Sequence, residues 1–237
     1  MIAGLSKAVT LYLAPLLSLA SILLLLFAFF APTVLLHTQV ALLVVSPSLS
    51  LTNPSASQGV DGPTLFLGAL GSCSRHNNDG GVTCEAPALS PTYDLSALPA
   101  NAPDLLTAPT ATTPAFIAIA LGFTIIFFVL FTLISLRASL GARLAAAMDR
   151  PVLQRASAWI GLLGFMIGLT SFLVIRMWFG KAVEDFNLSI SHGAAGSPQL
   201  VANTGNGFTM VWAAYAFYAV PLICALARLH VTATASK

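Results

Sequence analysis

The chain reads as an all-α transmembrane protein: a four-helix bundle with a small disulfide-stapled extracellular β-sheet in its first loop. Three observations predict this class. Charged residues make up 8% of the 237, against 57% hydrophobic, whereas a soluble domain carries about 25% charged residues. The apolar residues are gathered into four long blocks. Two of the three cysteines, Cys73 and Cys84, lie between the first and second blocks. The net charge of +2 is too small to point to a nucleic-acid partner; its distribution along the chain carries more information than its sum.

A bilayer core about 30 Å thick needs about 20 apolar residues in a helix. Four segments reach that length: 8–36, 114–136, 156–178 and 207–229. Arg176 and Arg228 are their only charges, each at an end where a long side chain can reach the headgroups. Backbone amides in hydrocarbon need internal partners, so these segments are expected to be helices. They lack the alternating polarity of barrel strands. The first apolar run exceeds the 7–15 residues of a signal-peptide core and reads as a retained span.

Lys and Arg near the span ends set the orientation. Lys7 precedes span one; Arg137, Arg143, Arg150 and Arg155 fill the link 137–155; Arg228 and Lys237 follow span four. The loop 37–113 holds only Arg75, set against Asp61, Asp79, Glu85, Asp94 and Asp104. Both termini are therefore expected in the cytoplasm, with loops 37–113 and 179–206 outside.

An outside loop is oxidising, so Cys73 and Cys84 are expected to be joined. The competing readings are two free thiols or a metal pair with His76, and a metal site wants more ligands. The β-branched run 38–45 and the run 64–70, which leads into Gly71-Ser72-Cys73, suggest strands of a small antiparallel sheet on the bundle. Residues 46–63 read as loop, and 86–113 as irregular. Thr112 or Thr113 is placed to cap span two, with Pro114 in its first turn. The second outer loop, 179–206, reads as polar, and Asn187-Leu188-Ser189 is a glycosylation sequon.

Helix association in lipid relies on small residues that let backbones approach. Ser157, Gly161, Gly164, Gly168 and Ser171 recur at spacings of four and three, so they form one stripe on span three. Burial inside the bundle is the expected use; a homodimer face is the competing one. In span four, Trp212 suits the interface. Tyr215 and Tyr218 should turn their hydroxyls into the bundle, Pro221 should loosen the helix, and Cys224 reads as a small apolar residue. In the link, Leu136, Leu140, Leu144 and Met148 repeat every four residues. This predicts a helical extension of span two or a short interfacial helix ending before Pro151. Arg137, Arg143, Arg150 and Arg155 fit a positive-inside signal and contact with anionic inner-leaflet lipid.

Sequence signatures for phosphate loops, dinucleotide folds, zinc centres and nucleophile elbows are absent. His37, His76, His192 and His230 are scattered and outside the spans, so each reads as solvated or interfacial. No ionisable residue lies mid-membrane, where a transporter or proton relay keeps one. The sequence therefore predicts a protein without catalytic residues, cofactor or metal. Its partners are the bilayer and other membrane proteins. A small channel stays open as an alternative, because backbone groups can line a pore.

Four spans, a large first loop with a cysteine pair and short ends resemble the claudin-type superfamily. The local text is closer to its fungal branch. Leu67-Gly68-Ala69-Leu70-Gly71-Ser72-Cys73-Ser74, then Cys84, then Tyr93-Asp94-Leu95 resembles the Sur-seven/PalI signature, in which a strand ends in Gly-x-x-Gly-x-Cys before the second cysteine. Gly207-Phe208 with Val211-Trp212 resembles the start of that family's fourth span. The tryptophan that claudins place before the first cysteine is absent, with Leu70 and Gly71 in that region. The resemblance marks Gly68, Gly71, Cys73, Cys84 and Tyr93 as family-motif residues and implies a claudin-like fold. It also implies one of two roles. One is a plasma-membrane protein of eisosome-associated cortical domains, linked to endocytosis and cell-wall organisation. The other is an accessory subunit that helps an ambient-pH-sensing receptor reach the plasma membrane.

Overall fold

A computed structural model describes residues 9–51, 60–137, 141–148, 150–193 and 198–235. Lys7, Lys237 and Leu140, and part of the predicted 46–63 loop, lie outside the described residues. A π-helical turn, Val9–Leu13, runs into α1 (Ala14–Phe30); then come α2 (Thr112–Ser135), α3 (Ala142–Met148), α4 (Pro151–His192) and α5 (Gly207–Ala235). Among the described residues, four helices are long and apolar enough to cross a membrane: Leu11–Phe30, Thr112–Ser135, Pro151–His192 and Gly207–Leu229. The chain thus fits a multi-pass, four-span fold.

The boundaries differ from the expectation where backbone chemistry overrides hydropathy. α1 stops at Phe30 rather than continuing to residue 36, because Pro32 disfavours helix at the residue before it and lacks an N–H. A turn follows, with the Val34 N–H donating to Phe30 O and the Gln39 N–H to Leu36 O. α4 is 42 residues long, about 63 Å at 1.5 Å per residue, so it outruns any hydrocarbon core. The expected polar loop at 179–206 is, up to His192, helix. Composition hid this, since Lys181, Glu184 and Asp185 look like loop residues. The helical period was nevertheless present: Phe179, Phe186 and Ile190 form one buried stripe, while Lys181 pairs with Asp185 at 2.6 Å across one turn. In the link, α3 is a short helix of its own, beginning at Ala142 after α2 has ended at Ser135, so it does not simply continue α2.

The chain divides into two compact units. The first comprises 1–26, 116–170 and 211–237; the second comprises 27–115 and 171–210. Within the first unit, aromatic rings interlock. Phe127 meets Tyr218 edge-on at 5.4 Å and Phe131 at 5.5 Å, and Phe165 meets Tyr215 at 5.5 Å and Tyr218 at 5.9 Å. The Tyr218 hydroxyl donates to Gly161 O at 3.0 Å, inside the packed helices.

The second unit holds a five-stranded antiparallel sheet in the order β4-β3-β2-β1-β5. The strands are β1 (Leu43–Pro47), β2 (Thr64–Leu67), β3 (Ser72–Arg75), β4 (Thr83–Cys84) and β5 (Leu200–Thr204). The expected strand 38–45 begins later, at Leu43, and 64–70 ends earlier, at Leu67. β5 comes from the expected second loop and pairs with β1 from Leu43↔Thr204 to Pro47↔Leu200. Both faces of the central strands are covered. Leu43, Val45, Leu65 and Leu67 are buried on one side, and on the other Ala41, Phe66 and Cys73 cluster with Val44 and Val82.

Candidate functional site

The motif residues meet in one knot of the second unit. After β2 the backbone reverses between Gly68 and Gly71, where the Gly68 N–H donates to Gly71 O at 2.9 Å. Gly68 has no room for a side chain, since a Cβ there would run into Ala31 O. Gly71 adopts φ +154°, with Thr33 Cγ2 only 3.0 Å from where a Cβ would stand. The turn delivers Cys73 to β3 opposite Cys84 on β4, and the two form a disulfide. Phe66 lies across from Cys73 on the other neighbour strand, so the staple is rooted in the apolar cluster.

Tyr93 closes the knot. Its hydroxyl donates to Gly68 O at 2.7 Å and its ring stacks on Phe179 at 6.4 Å. Burial pushes its phenol far above the usual range, so it stays a neutral donor. Ser72 ties the chain after β4 to β3: its carbonyl accepts the Glu85 N–H at 3.1 Å, and its Oγ accepts the Asp94 N–H at 3.0 Å. Asp94 is held below the usual carboxylate range by its hydrogen bonds to Ser96, with a smaller pull from His76. Beyond the staple, residues 76–81 form the hairpin tip. The tip is pinned where the Asn78 N–H donates to Asp61 Oδ1 at 2.8 Å.

The histidine beside the sulfurs is His37, exposed as expected, and it replaces His76 as the nearest one to the cysteine pair. His37 Nδ1 lies 3.4 Å from Cys84 Sγ. Together His37, Cys73 and Cys84 have metal-ligand spacing, but the disulfide ties up both sulfurs and leaves no thiolate to donate.

The other singled-out residues lie elsewhere. Gly161, Gly164 and Gly168 face α2 and α5. A Cβ on Gly161 would strike Phe127, one on Gly164 would sit 3.0 Å from Phe123 Cβ, and one on Gly168 would strike the Tyr215 hydroxyl. Ser157 and Ser171 are buried. Arg137, Arg143, Arg150 and Arg155 are all exposed. Asn187 is half-buried and clamps β5: its Nδ2 donates to Ala202 O and its Oδ1 accepts the Ala202 N–H, both at 2.8 Å.

Several positioning contacts gave no sequence signal. Asn206 Nδ2 donates to Gln39 O at 2.7 Å and its Oδ1 accepts the Ala41 N–H at 3.4 Å. The Trp178 indole donates to Thr107 O at 3.0 Å. Arg176 lies over the Phe208 ring at 5.3 Å. Each partner is remote in the chain, and no local spacing announces it. The knot as a whole offers a rigid, stapled hairpin with polar edges. No family model matches this chain, and no curated protein matches its sequence.

Proposed function

We propose that the chain is a non-enzymatic organiser or accessory protein of the plasma membrane, of the Sur-seven/PalI kind. In this reading both termini are cytoplasmic and the stapled sheet stands outside, where it meets other membrane proteins. One observation carries the proposal: Gly68, Gly71, Cys73, Cys84 and Tyr93 converge on a single brace. Five residues spent on rigidity support a role in presenting a fixed surface. A preorganised surface binds with less ordering cost than a mobile loop. The exposed tip, Asn77 to Asp79, with His76 and Glu85 nearby, would then be the recognition edge.

The test is affinity purification of the tagged full-length protein from its native membranes after crosslinking. Cortical-domain membrane proteins should co-purify, and a Cys84→Ser variant should lose them. Recovery of one larger multispan receptor, with alkaline-sensitive growth on deletion, would instead favour the pH-signalling accessory role. Selective small-molecule flux through proteoliposomes holding the purified chain would overturn both and favour a channel.

A further inference from the structure

We propose that Cys84 is an exchange site for low-molecular-weight disulfides of the oxidised-tripeptide class, with His37 as its positioning residue and Cys73 as the sulfur that resolves the adduct. This chemistry depends on the hairpin of the second unit alone and not on the proposed function. The chain is synthesised with two thiols, so closing the staple needs an oxidant, and a soluble disulfide supplies one. Exposure decides which sulfur such a molecule meets first. Cys73 is 1% exposed and belongs to the apolar cluster of Ala41 and Phe66. Cys84 lies on the two-residue edge strand β4, where both residues are exposed.

His37 separates the two sulfurs further. Its Nδ1 contacts Pro32 O, and a carbonyl oxygen only accepts, so Nδ1 carries a hydrogen. The same nitrogen lies 3.4 Å from Cys84 Sγ. Cys84 therefore faces an N–H donor. A hydrogen bond to the charged form favours thiolate over thiol, and the thiolate is the nucleophile. The adjacent carboxylate is engaged elsewhere, since Glu85 Oε2 accepts from Ser72 Oγ at 3.4 Å. Contacts other than the S–S bond hold the hairpin in register. Ser74 pairs with Thr83, with their hydroxyls 3.2 Å apart. The Glu85 N–H donates to Ser72 O at 3.1 Å, and Val82 packs on the cluster around Phe66.

The steps balance. The Cys84 thiolate attacks one sulfur of R–S–S–R, forming a Cys84 mixed disulfide and releasing RS⁻, which takes up the proton that Cys84 lost. Cys73, directly opposite on β3, then gives up its proton and attacks Cys84 Sγ, expelling a second RS⁻ that the proton neutralises. The cysteine pair loses two electrons, and R–S–S–R is reduced to two RSH. The opposite order would need the external disulfide to reach a sealed sulfur. The same asymmetry slows reopening. An external thiolate reaches only Cys84 Sγ, and the group it would expel is a Cys73 thiolate among apolar side chains.

The test uses the full-length protein in detergent, reduced with a phosphine, desalted and mixed with oxidised glutathione, with adducts assigned by peptide mass spectrometry. In Cys73→Ser the Cys84 adduct should accumulate, because nothing resolves it. In Cys84→Ser a Cys73 adduct should form at least about tenfold more slowly, since a buried sulfur reacts only through local opening. Adding His37→Ala to Cys73→Ser should slow adduct formation roughly threefold at neutral pH. A charge-assisted hydrogen bond changes the thiolate population about tenfold, and about half of that logarithm is lost to weaker nucleophilicity. His37→Asn, which keeps an N–H donor, should restore most of the rate, an outcome that a merely structural role would not give. In denaturant the two cysteines should react alike. Equal rates for Cys73 and Cys84 in the folded protein would overturn the entry-site assignment. An unchanged rate in His37→Ala would overturn the role of His37, and a preference that persists in denaturant would show that the fold does not create it. Should either serine variant lose its fold, iodoacetamide labelling of the phosphine-reduced wild-type chain, followed site by site, makes the same comparison.

Discussion

Cys73 and Cys84 pair directly across β3 and β4, so the disulfide closes a loop of sequence separation 11 around the hairpin tip. On the chain-entropy account, closing a loop of about ten residues stabilises the fold by roughly 2–3 kcal/mol. Cys73→Ser and Cys84→Ser should each lower surface expression, and the double variant should be no worse than either single. Strictly additive losses would mean that the sulfurs act independently. Tyr93 is the second residue whose role is now specific. Tyr93→Phe keeps the stack on Phe179 but leaves Gly68 O without its donor, and should cost about 1 kcal/mol of stability. The sign of the pH effect follows from the raised phenol. Its folded-state ionisation lies above the unfolded value of about 10. The tyrosine's contribution is therefore complete below that pH and is lost as pH rises toward the folded value. The stability gap between wild type and Tyr93→Phe, followed by thermal unfolding, should narrow above pH of about 10.

At the scale of elements, close approach decides what each helix and strand tolerates. Gly168 and Gly122 lie on neighbouring helices of one unit with opposite surroundings. A Cβ on Gly168 meets the Tyr215 hydroxyl, and one on Gly122 meets nothing within 4 Å. Gly168→Leu should destabilise the bundle by about 1–3 kcal/mol or more through overpacking. Gly122→Ala should be neutral or gain about 0.5–1 kcal/mol from helix propensity. Thermal unfolding in detergent distinguishes the two. β5 depends on Asn187, whose amide bonds both ways to Ala202. Asn187→Ala should loosen the β1–β5 edge, seen as faster amide exchange at Val201 to Asn203. With its nitrogen committed to the Ala202 carbonyl, Asn187 should also carry no glycan in cells. An endoglycosidase-sensitive mobility shift that disappears in Asn187→Gln would contradict the clamp.

At the scale of the molecule, the proposed reading puts both termini on the cytoplasmic side of the plasma membrane and the sheet outside. Epitope tags at the two ends should be equally accessible after selective permeabilisation of the plasma membrane and equally hidden before it. Opposite accessibility would undo the outside placement of the sheet. Four spans could be read because a bilayer imposes a length and an apolar composition that any window along the chain can register. The Gly68–Cys73 segment and the small-residue stripe of α4 were also visible, since turns and close helix contacts require particular residue types at short spacing.

What the sequence determined by itself was local: where the chain is apolar enough to be helical in lipid, where glycines permit a tight turn, and which cysteines have an oxidisable partner. Only the tertiary structure decided what is distant in the chain. It joined β5 to β1 and set His37 against Cys84. The physical reason is range. Helix and turn preferences act over a few residues. Pairing between strands about 150 positions apart is settled only when the intervening helices have packed and the loop-closure entropy has been offset.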